Sequence, residues 1–335
     1  MSLTAPALSD QVPAPASVRP LSADEIACYQ RDGFVVLRGF FSPEEIEPLR
    51  MSCLADPLVG GNLVAIADAQ GNAQEVVSWT EMSDDLVGVI PRMARVVQAA
   101  AALIGRSVYH WHSKLSMKAP GSAGRWDWHQ DYAYWYHEGC LFPDMATCTI
   151  AVDRAFPENG CLRLVKGSHH LGRIEHPRVG EASGVDPVRL EQALARLEAV
   201  DCEMVPGDAL FFHSNTLHAS GPNLSQEPRT LLHCSYNATN NSPFIAGQEH
   251  HAYRPIDILP DSVLREGRFK SGFDDQQFIY RGETGQANTY GYKLLRGSRP
   301  RDKDERAQRD HTDAKPHEDD PASGARSPDA RYDRV

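Results

Sequence analysis

Beyond Gly105 the chain breaks into short runs of β-forming residues, each closed off by a turn, and that rhythm limits what it can fold into. The runs cover Val108 to Met117, Thr147 to Val152, Cys161 to Val165, Ala209 to Phe212 and Leu231 to Tyr236. Clusters such as Pro157-Glu158-Asn159-Gly160 and Pro206-Gly207-Asp208 separate them with residues that favour turns. A parallel α/β sheet would need a helix between successive strands. Only one helix interrupts the series, with Leu190, Ala193, Leu194 and Leu197 on one face. The pattern therefore predicts a mainly β, α+β domain: a double-sheet jelly roll with helices packed outside.

Those helices come first along the chain. Ser22 and Glu25 make a capping box for a short helix that ends near Gly33. Phe34 to Leu37 reads as a buried strand. Ser42, Pro43 and Glu45 supply an N-cap, a first-turn proline and an N3 carboxylate for a second helix, with Ile46, Leu49, Cys53 and Leu54 on one face. A third helix is predicted from near Pro91, with Met93, Val97, Ala100 and Ile104 in a stripe and Gly105 just past its end.

Charge and cysteine usage narrow the setting. The chain has 335 residues and a net charge of −11, which argues against a phosphate-backbone partner or an anionic membrane surface. No apolar run approaches the ~18 residues of a membrane span, and the first residues lack a basic segment followed by an apolar one. Seven cysteines without a CxxC pair make a disulfide framework or a thiolate zinc site unexpected, and a reducing cytoplasm fits. Residues 1–20 are rich in Pro, Ala and Ser with no periodic apolar pattern, and 298–335 offers almost nothing apolar to offset the entropy of ordering; both are expected as disordered tails around one domain at 21–297.

The densest aromatic stretch, Arg125 to Tyr136, contains His129 and Asp131 in an H-x-D triplet. On a strand or its end such residues point the same way and could offer a nitrogen and an oxygen to one metal. A second imidazole would complete the facial triad of non-haem Fe(II) oxygenases, with positions open for cosubstrate and O2. The triplet alone is unspecific. His311-Thr312-Asp313 and His317-Glu318-Asp319 repeat it in the charged tail, and a histidine bonded to a nearby aspartate is the bland alternative. The later run Pro206 to His218 raises the odds: it is a turn, a buried strand and a polar edge ending in His218, with Arg229 eleven residues on. Adjacent antiparallel strands could bring both to one cavity. An arginine fork clamps a carboxylate bidentately, so the four residues match an iron enzyme that uses 2-oxoglutarate.

The sequence resembles the phytanoyl-CoA dioxygenase family of Fe(II)/2-oxoglutarate-dependent oxygenases, nearest its bacterial ectoine hydroxylase-like branch. The likeness spans roughly Leu21 to Asn240 and rests on several motifs together. These are Asp32 to Phe40, Trp128 to Asp131, Glu158 to Leu162, Lys166 to His169, and His218 to Asn223 with Arg229. The resemblance implies a cupin-like double-stranded β-helix with iron on His129, Asp131 and His218, and 2-oxoglutarate held by Arg229 and Lys118. It puts His112 where the branch has a glutamine facing substrate, and makes Tyr132 and Trp135 substrate candidates in an altered stretch, so that ectoine itself is not the expected substrate. An intact Asp131 favours hydroxylation over halogenation. The implied reaction is hydroxylation of an unactivated C–H bond in a small, polar metabolite, with release of succinate and CO2. Two rivals stay open: a cupin-type metalloenzyme without 2-oxoglutarate, and a catalytically silent ligand-binding barrel. Asp127 and Gln130 are expected to point away from the metal, His169 and His170 to fix a turn, and His250 and His251 to lie in a loop over the cavity.

Overall fold

A computed structural model describes residues 19–55, 63–179, 182–270, 277–281 and 292–296. The two stretches expected as tails lie outside them, apart from residues 19 and 20. Among the described residues the strands are, in chain order, β1 Phe34–Leu37, β2 Val64–Ala67, β3 Ala73–Trp79, β4 Val108–Lys118, β5 Trp126–His129, β6 Met145–Ala151, β7 Leu162–Val165, β8 Arg178–Val179, β9 Ala182–Ser183, β10 Ala199–Cys202, β11 Ala209–His213, β12 His218–Ser220, β13 Arg229–Ala238, β14 Gln277–Arg281 and β15 Tyr292–Arg296. A nine-stranded sheet runs β1-β11-β6-β13-β4-β3-β14-β15, with β2 added on β3. A second sheet of four strands runs β10-β7-β12-β5, and β8 pairs with β9. The jelly-roll expectation holds.

Alternation along each central strand divides the apolar residues between two layers. Leu37, Cys148, Ile150, Phe211, Leu232 and Cys234 face Val96, Val97, Ala100 and Leu103 of the helix Ala94–Ile104 in the larger cluster. Phe34, Ala151, Leu210, Phe212 and Leu231 face the other way, onto Leu162, Leu164 and Cys202 of the small sheet. Each fully buried leucine in these layers contributes roughly 1.5–3 kcal/mol. The polar inward positions of the same strands, next to this second layer, carry the site.

The N-terminal helices form where capping signals place them. Ala23–Asp32 has the Ser22–Glu25 capping box and stops at Gly33, whose φ of 83° suits glycine. Pro43–Ala55 buries Ile46, Leu49 and Cys53. Three expectations need correction. The third long helix starts at Ala94 with Met93 as its N-cap, because a 3-10 turn at Ile90–Arg92 occupies the residues before it. Leu197 lies past the helix Pro187–Leu194. The β2–β3 hairpin precedes Gly105, so helices do not simply come first; its turn is built on Asp68, whose carboxylate accepts the N–H groups of Gln70 and Asn72 at 2.9 and 2.8 Å.

The pairing of β4 with β13 contains a bulge. Ser235 lies opposite His112 and Tyr236 opposite His110, leaving Trp111 as the extra residue. The bulge lets consecutive residues Trp111 and His112 both meet Trp135, at 6.2 and 5.8 Å between ring centroids. None of the seven cysteines is joined in a disulfide. No helix among the described residues is long and apolar enough to cross a membrane.

Candidate metal centre

β5 and β12 are neighbours, and their register sets His129 directly opposite His218 with ring centroids 4.1 Å apart. Gln130 stays extended (φ −114°, ψ 132°), and Asp131 is the first residue of the helix Asp131–His137. The triplet thus spans a strand-to-helix corner. Asp131 Oδ1 lies 3.8 Å from His129 Nε2 and 3.7 Å from His218 Nε2, and one ligand atom from each residue falls within 4.8 Å of the others. All three side chains are buried.

Hydrogen bonds on the outer side fix which atoms face inward. His129 Nδ1–H donates to the Asp127 carbonyl at 2.7 Å, and His218 Nδ1–H to the Thr216 carbonyl at 3.0 Å. Each ring is thereby set in the tautomer whose Nε2 lone pair points to the shared centre. Thr147 Oγ1 donates to Asp131 Oδ2 at 3.4 Å, which leaves Oδ1 for the same centre. Burial holds both imidazoles below their ordinary pKa, so they are neutral. Burial opposes ionisation of Asp131, but the positive charge around it, that of Lys114 included, outweighs burial and keeps the carboxyl well below the usual range. Two neutral imidazoles and one carboxylate, with their outer lone pairs and protons already committed, fit a divalent first-row metal such as Fe(II).

A small cavity opens beside the triad, lined by Lys114, Ser116, Trp126, Leu162, Phe212, Ser220, Arg229 and His233 as well as both imidazoles. Arg229 is 1% exposed. Its Nη1 donates to the carbonyl and hydroxyl of Ser116 at 3.2 and 3.3 Å, while Nε and Nη2, like Ser220 Oγ, have no partner among the described residues. Burial lowers the guanidinium pKa to about 10, so it stays charged. A buried cation with free N–H groups is an incomplete arrangement that a carboxylate would complete. His233 adds no charge, because burial, with Lys114 and Arg229 nearby, keeps it neutral, and its Nδ1 pairs with Thr149 Oγ1 at 2.8 Å.

The other residues singled out from sequence are spread around this centre. Lys118 faces Arg229 in register but is turned to the backbone: Nζ donates to the carbonyls of Gly124 and Gly221. Lys114, four residues earlier on β4, lines the cavity, with Nζ 5.8 Å over the Trp126 ring. Since i and i+4 share a strand face, Lys118, the lysine expected to reach the cosubstrate, marked the right face of β4, while the cavity itself is lined by Lys114. His112 and Trp135 meet edge to face near the triad. Tyr132 packs with Tyr109, Trp111 and Trp135, and its hydroxyl donates to the carbonyls of Cys140 and Leu141 at 3.2 and 2.7 Å. The aromatic run after Asp131 is helical, and Tyr132 and Trp135 share its buried face.

Asp127 and Gln130 do turn away: Asp127 accepts from the Ala69 N–H at 3.2 Å, and Gln130 bonds to two loops. His169 caps a turn, with Nε2 at 3.1 Å from the Gln30 carbonyl, and His251 stacks on Trp111 at 4.0 Å. Sequence reasoning passed over Lys114, Ser220, His233 and His176. The first three carry a readable signal, lying on the same strand faces as Lys118, His218 and Arg229.

Comparison with known proteins follows the same outline. The profile of the family described as Phytanoyl-CoA dioxygenase (PhyH) matches residues 29–231. The ectoine dioxygenase of Bordetella parapertussis is 32% identical over 242 residues, covering 66% of this chain and 77% of that protein. The L-proline trans-4-hydroxylase of Streptomyces griseoviridis is 27% identical, covering 68% of this chain and 94% of that one. Among solved structures, EctD from S. alaskensis with bound Fe superposes with a TM-score of 0.60 at 23% identity, covering 72% of this chain and 88% of the other.

Proposed function

Because the chain belongs to the phytanoyl-CoA dioxygenase family, we propose that it hydroxylates an unactivated C–H bond of a small, polar metabolite at a non-haem Fe(II) centre, with 2-oxoglutarate and O2 as cosubstrates. It is an Fe(II)/2-oxoglutarate-dependent dioxygenase. The observation that carries the reading is Arg229: a buried guanidinium with two unpartnered nitrogens in the same cavity as His129 and His218.

His129, Asp131 and His218 would hold the metal through Nε2, Oδ1 and Nε2. When bound, iron supplies activation of dioxygen coupled to decarboxylation of 2-oxoglutarate to succinate and CO2. Arg229 holds the far carboxylate of 2-oxoglutarate, with Ser220 Oγ as a further donor and Lys114 adding positive charge in the cavity. Leu162 and Phe212 wall the cosubstrate from water. Lys118 acts one step back, tying the Gly124 and Gly221 backbones beside Arg229. His112 and Trp135 form the substrate side, and Tyr132 supports Trp135 from the same helix face. A small polar substrate is supported by the relatives named for ectoine and proline, and a cytoplasmic setting by seven cysteines of which none is joined in a disulfide.

The test is succinate release with Fe(II), ascorbate and 2-oxoglutarate. His129→Ala or Asp131→Ala should abolish it in a folded protein. Arg229→Ala should raise the KM for 2-oxoglutarate roughly 30-fold or more, matching about 2 kcal/mol or more for a buried charge pair. Full activity in either triad variant would remove the metal assignment. Turnover without succinate would instead favour a metalloenzyme that does not use 2-oxoglutarate.

A further inference from the structure

The corner between the two adjacent metal ligands is not held by the strand ladder. β5 ends at His129, so the backbone of Gln130 lies beyond the last pairing with β12. Left alone, its N–H would be an unmet donor at a partly buried turn. His176 meets it: the Gln130 N–H donates to His176 Nε2 at 2.8 Å. The His176 Nδ1–H in turn donates to the Ile174 carbonyl at 2.7 Å, which fixes the ring as the tautomer that accepts at Nε2.

The Gln130 side chain, fully buried, makes three more bonds to the same surroundings. Its Nε2 donates to the carbonyls of Gly172 and Asn215, both at 2.8 Å, and its Oε1 accepts the Ile174 N–H at 2.8 Å. The strap Gly172–His176 therefore grips the corner from behind, through backbone and side chain of one residue. Its far end is tied down too, by Asp186 N–H on the Glu175 carbonyl at 2.9 Å, and the neighbouring Val185 N–H donates to the Trp128 carbonyl of β5 at 2.8 Å. With Nε2 committed to the Gln130 N–H, His176 is not itself a metal ligand.

We propose that His176 is a positioning residue for the metal centre: by accepting the N–H of the residue between His129 and Asp131, it sets the angle at which the two ligands meet. The role rests on the metal reading given above. A site of this kind tolerates only about 0.5 Å of drift, and one lost bond at the corner moves the Asp131 carboxylate directly. Burial keeps the ring neutral, with a pKa of about 4, so the acceptor is present throughout the neutral range.

Co(II) binding to the full-length, metal-free chain tests the proposal, with wild type, His129→Ala, His176→Leu and His176→Gln compared and each apo protein's thermal midpoint recorded. His176→Leu should weaken Co(II) about 10–100-fold, the usual effect of losing an outer-shell partner. His176→Gln, which keeps an acceptor at the same reach, should recover most of it. A folded His176→Leu protein that binds Co(II) within twofold of wild type overturns the proposal. If that variant does not fold, hydrogen exchange in wild-type apoprotein decides: a protected Gln130 amide supports the role, and exchange at the rate of an open loop overturns it. Wild type that binds no Co(II), or binding that survives His129→Ala, would fell the metal centre itself and the positioning role with it.

Discussion

Two lysines on one face of β4 show how much a single residue's surroundings decide. Lys114 lines the cavity, whereas Lys118 is 1% exposed and spends its Nζ hydrogens on the carbonyls of Gly124 and Gly221. Burial, with Arg229 and Arg125 nearby, brings Lys118 down to about 6, so near neutral pH it donates mainly as an uncharged amine. The two should fail differently when changed. Lys114→Met is expected to raise the KM for 2-oxoglutarate while leaving the urea midpoint near that of wild type. Lys118→Met strands two buried carbonyls and is expected to lower stability by about 1–3 kcal/mol. Steady-state kinetics beside urea denaturation of both variants checks this, and a reversed pattern would return Lys118 to the cosubstrate. Sequence made His129, Asp131, His218 and Arg229 legible because the chemistry needs those residue types at that spacing. It singled out Lys118 and passed over Lys114, because strand periodicity gives a face and not a depth.

Among the elements, capped or strongly periodic segments were readable. Ser22 with Glu25, and Ser42 followed by Pro43, each opened a helix where expected. The runs around Leu210 and Leu232 became central strands of the large sheet. The misses have physical causes. Tyr and Trp favour strands, yet the segment after Asp131 coils into a helix because packing of Tyr132 and Trp135 against Tyr109 and Trp111 outweighs that preference. The bulge at Trp111 is invisible in a sequence, since only the partner strand reveals the extra residue. β2 and β3 mix Val64, Ile66, Val76, Val77 and Trp79 with Ala, Gln and Glu, and hold their place by pairing with each other and, through β3, with β4. The sheet's two faces also predict separable effects. Leu232 is fully buried on the helix side of β13, while its neighbour His233 looks into the cavity. Leu232→Ala should cost about 2–5 kcal/mol and leave Co(II) affinity unchanged. Loss of affinity in a folded variant would mean that the two layers are not independent.

Taken as a whole, the domain folds around imidazoles that burial keeps neutral, and this sets its response to acid. His110 is lowered to about 4, and His112 and His213 to about 3, in each case by burial first. In the unfolded chain these groups titrate near 6.5. Above that value neither state binds the protons, and the full stability is present. Between about 6.5 and the folded values the unfolded state binds more protons, so stability falls as pH falls, by about 1.4 kcal/mol per pH unit for each group. Glu138 works in the opposite direction: burial raises it to about 8, so its contribution is complete below the usual carboxyl range and is lost as pH rises through 8. The metal-free protein should therefore be most stable near pH 6.5, with a steep loss between pH 6.5 and 4.5 and a shallower one from pH 6.5 up to about 8, above which Glu138 adds no further loss. Urea midpoints across pH 4.5–9 measure this. Midpoints that stay level from pH 7 to 5 would mean that these imidazoles reach water, and the packed layers assigned around them would then be wrong.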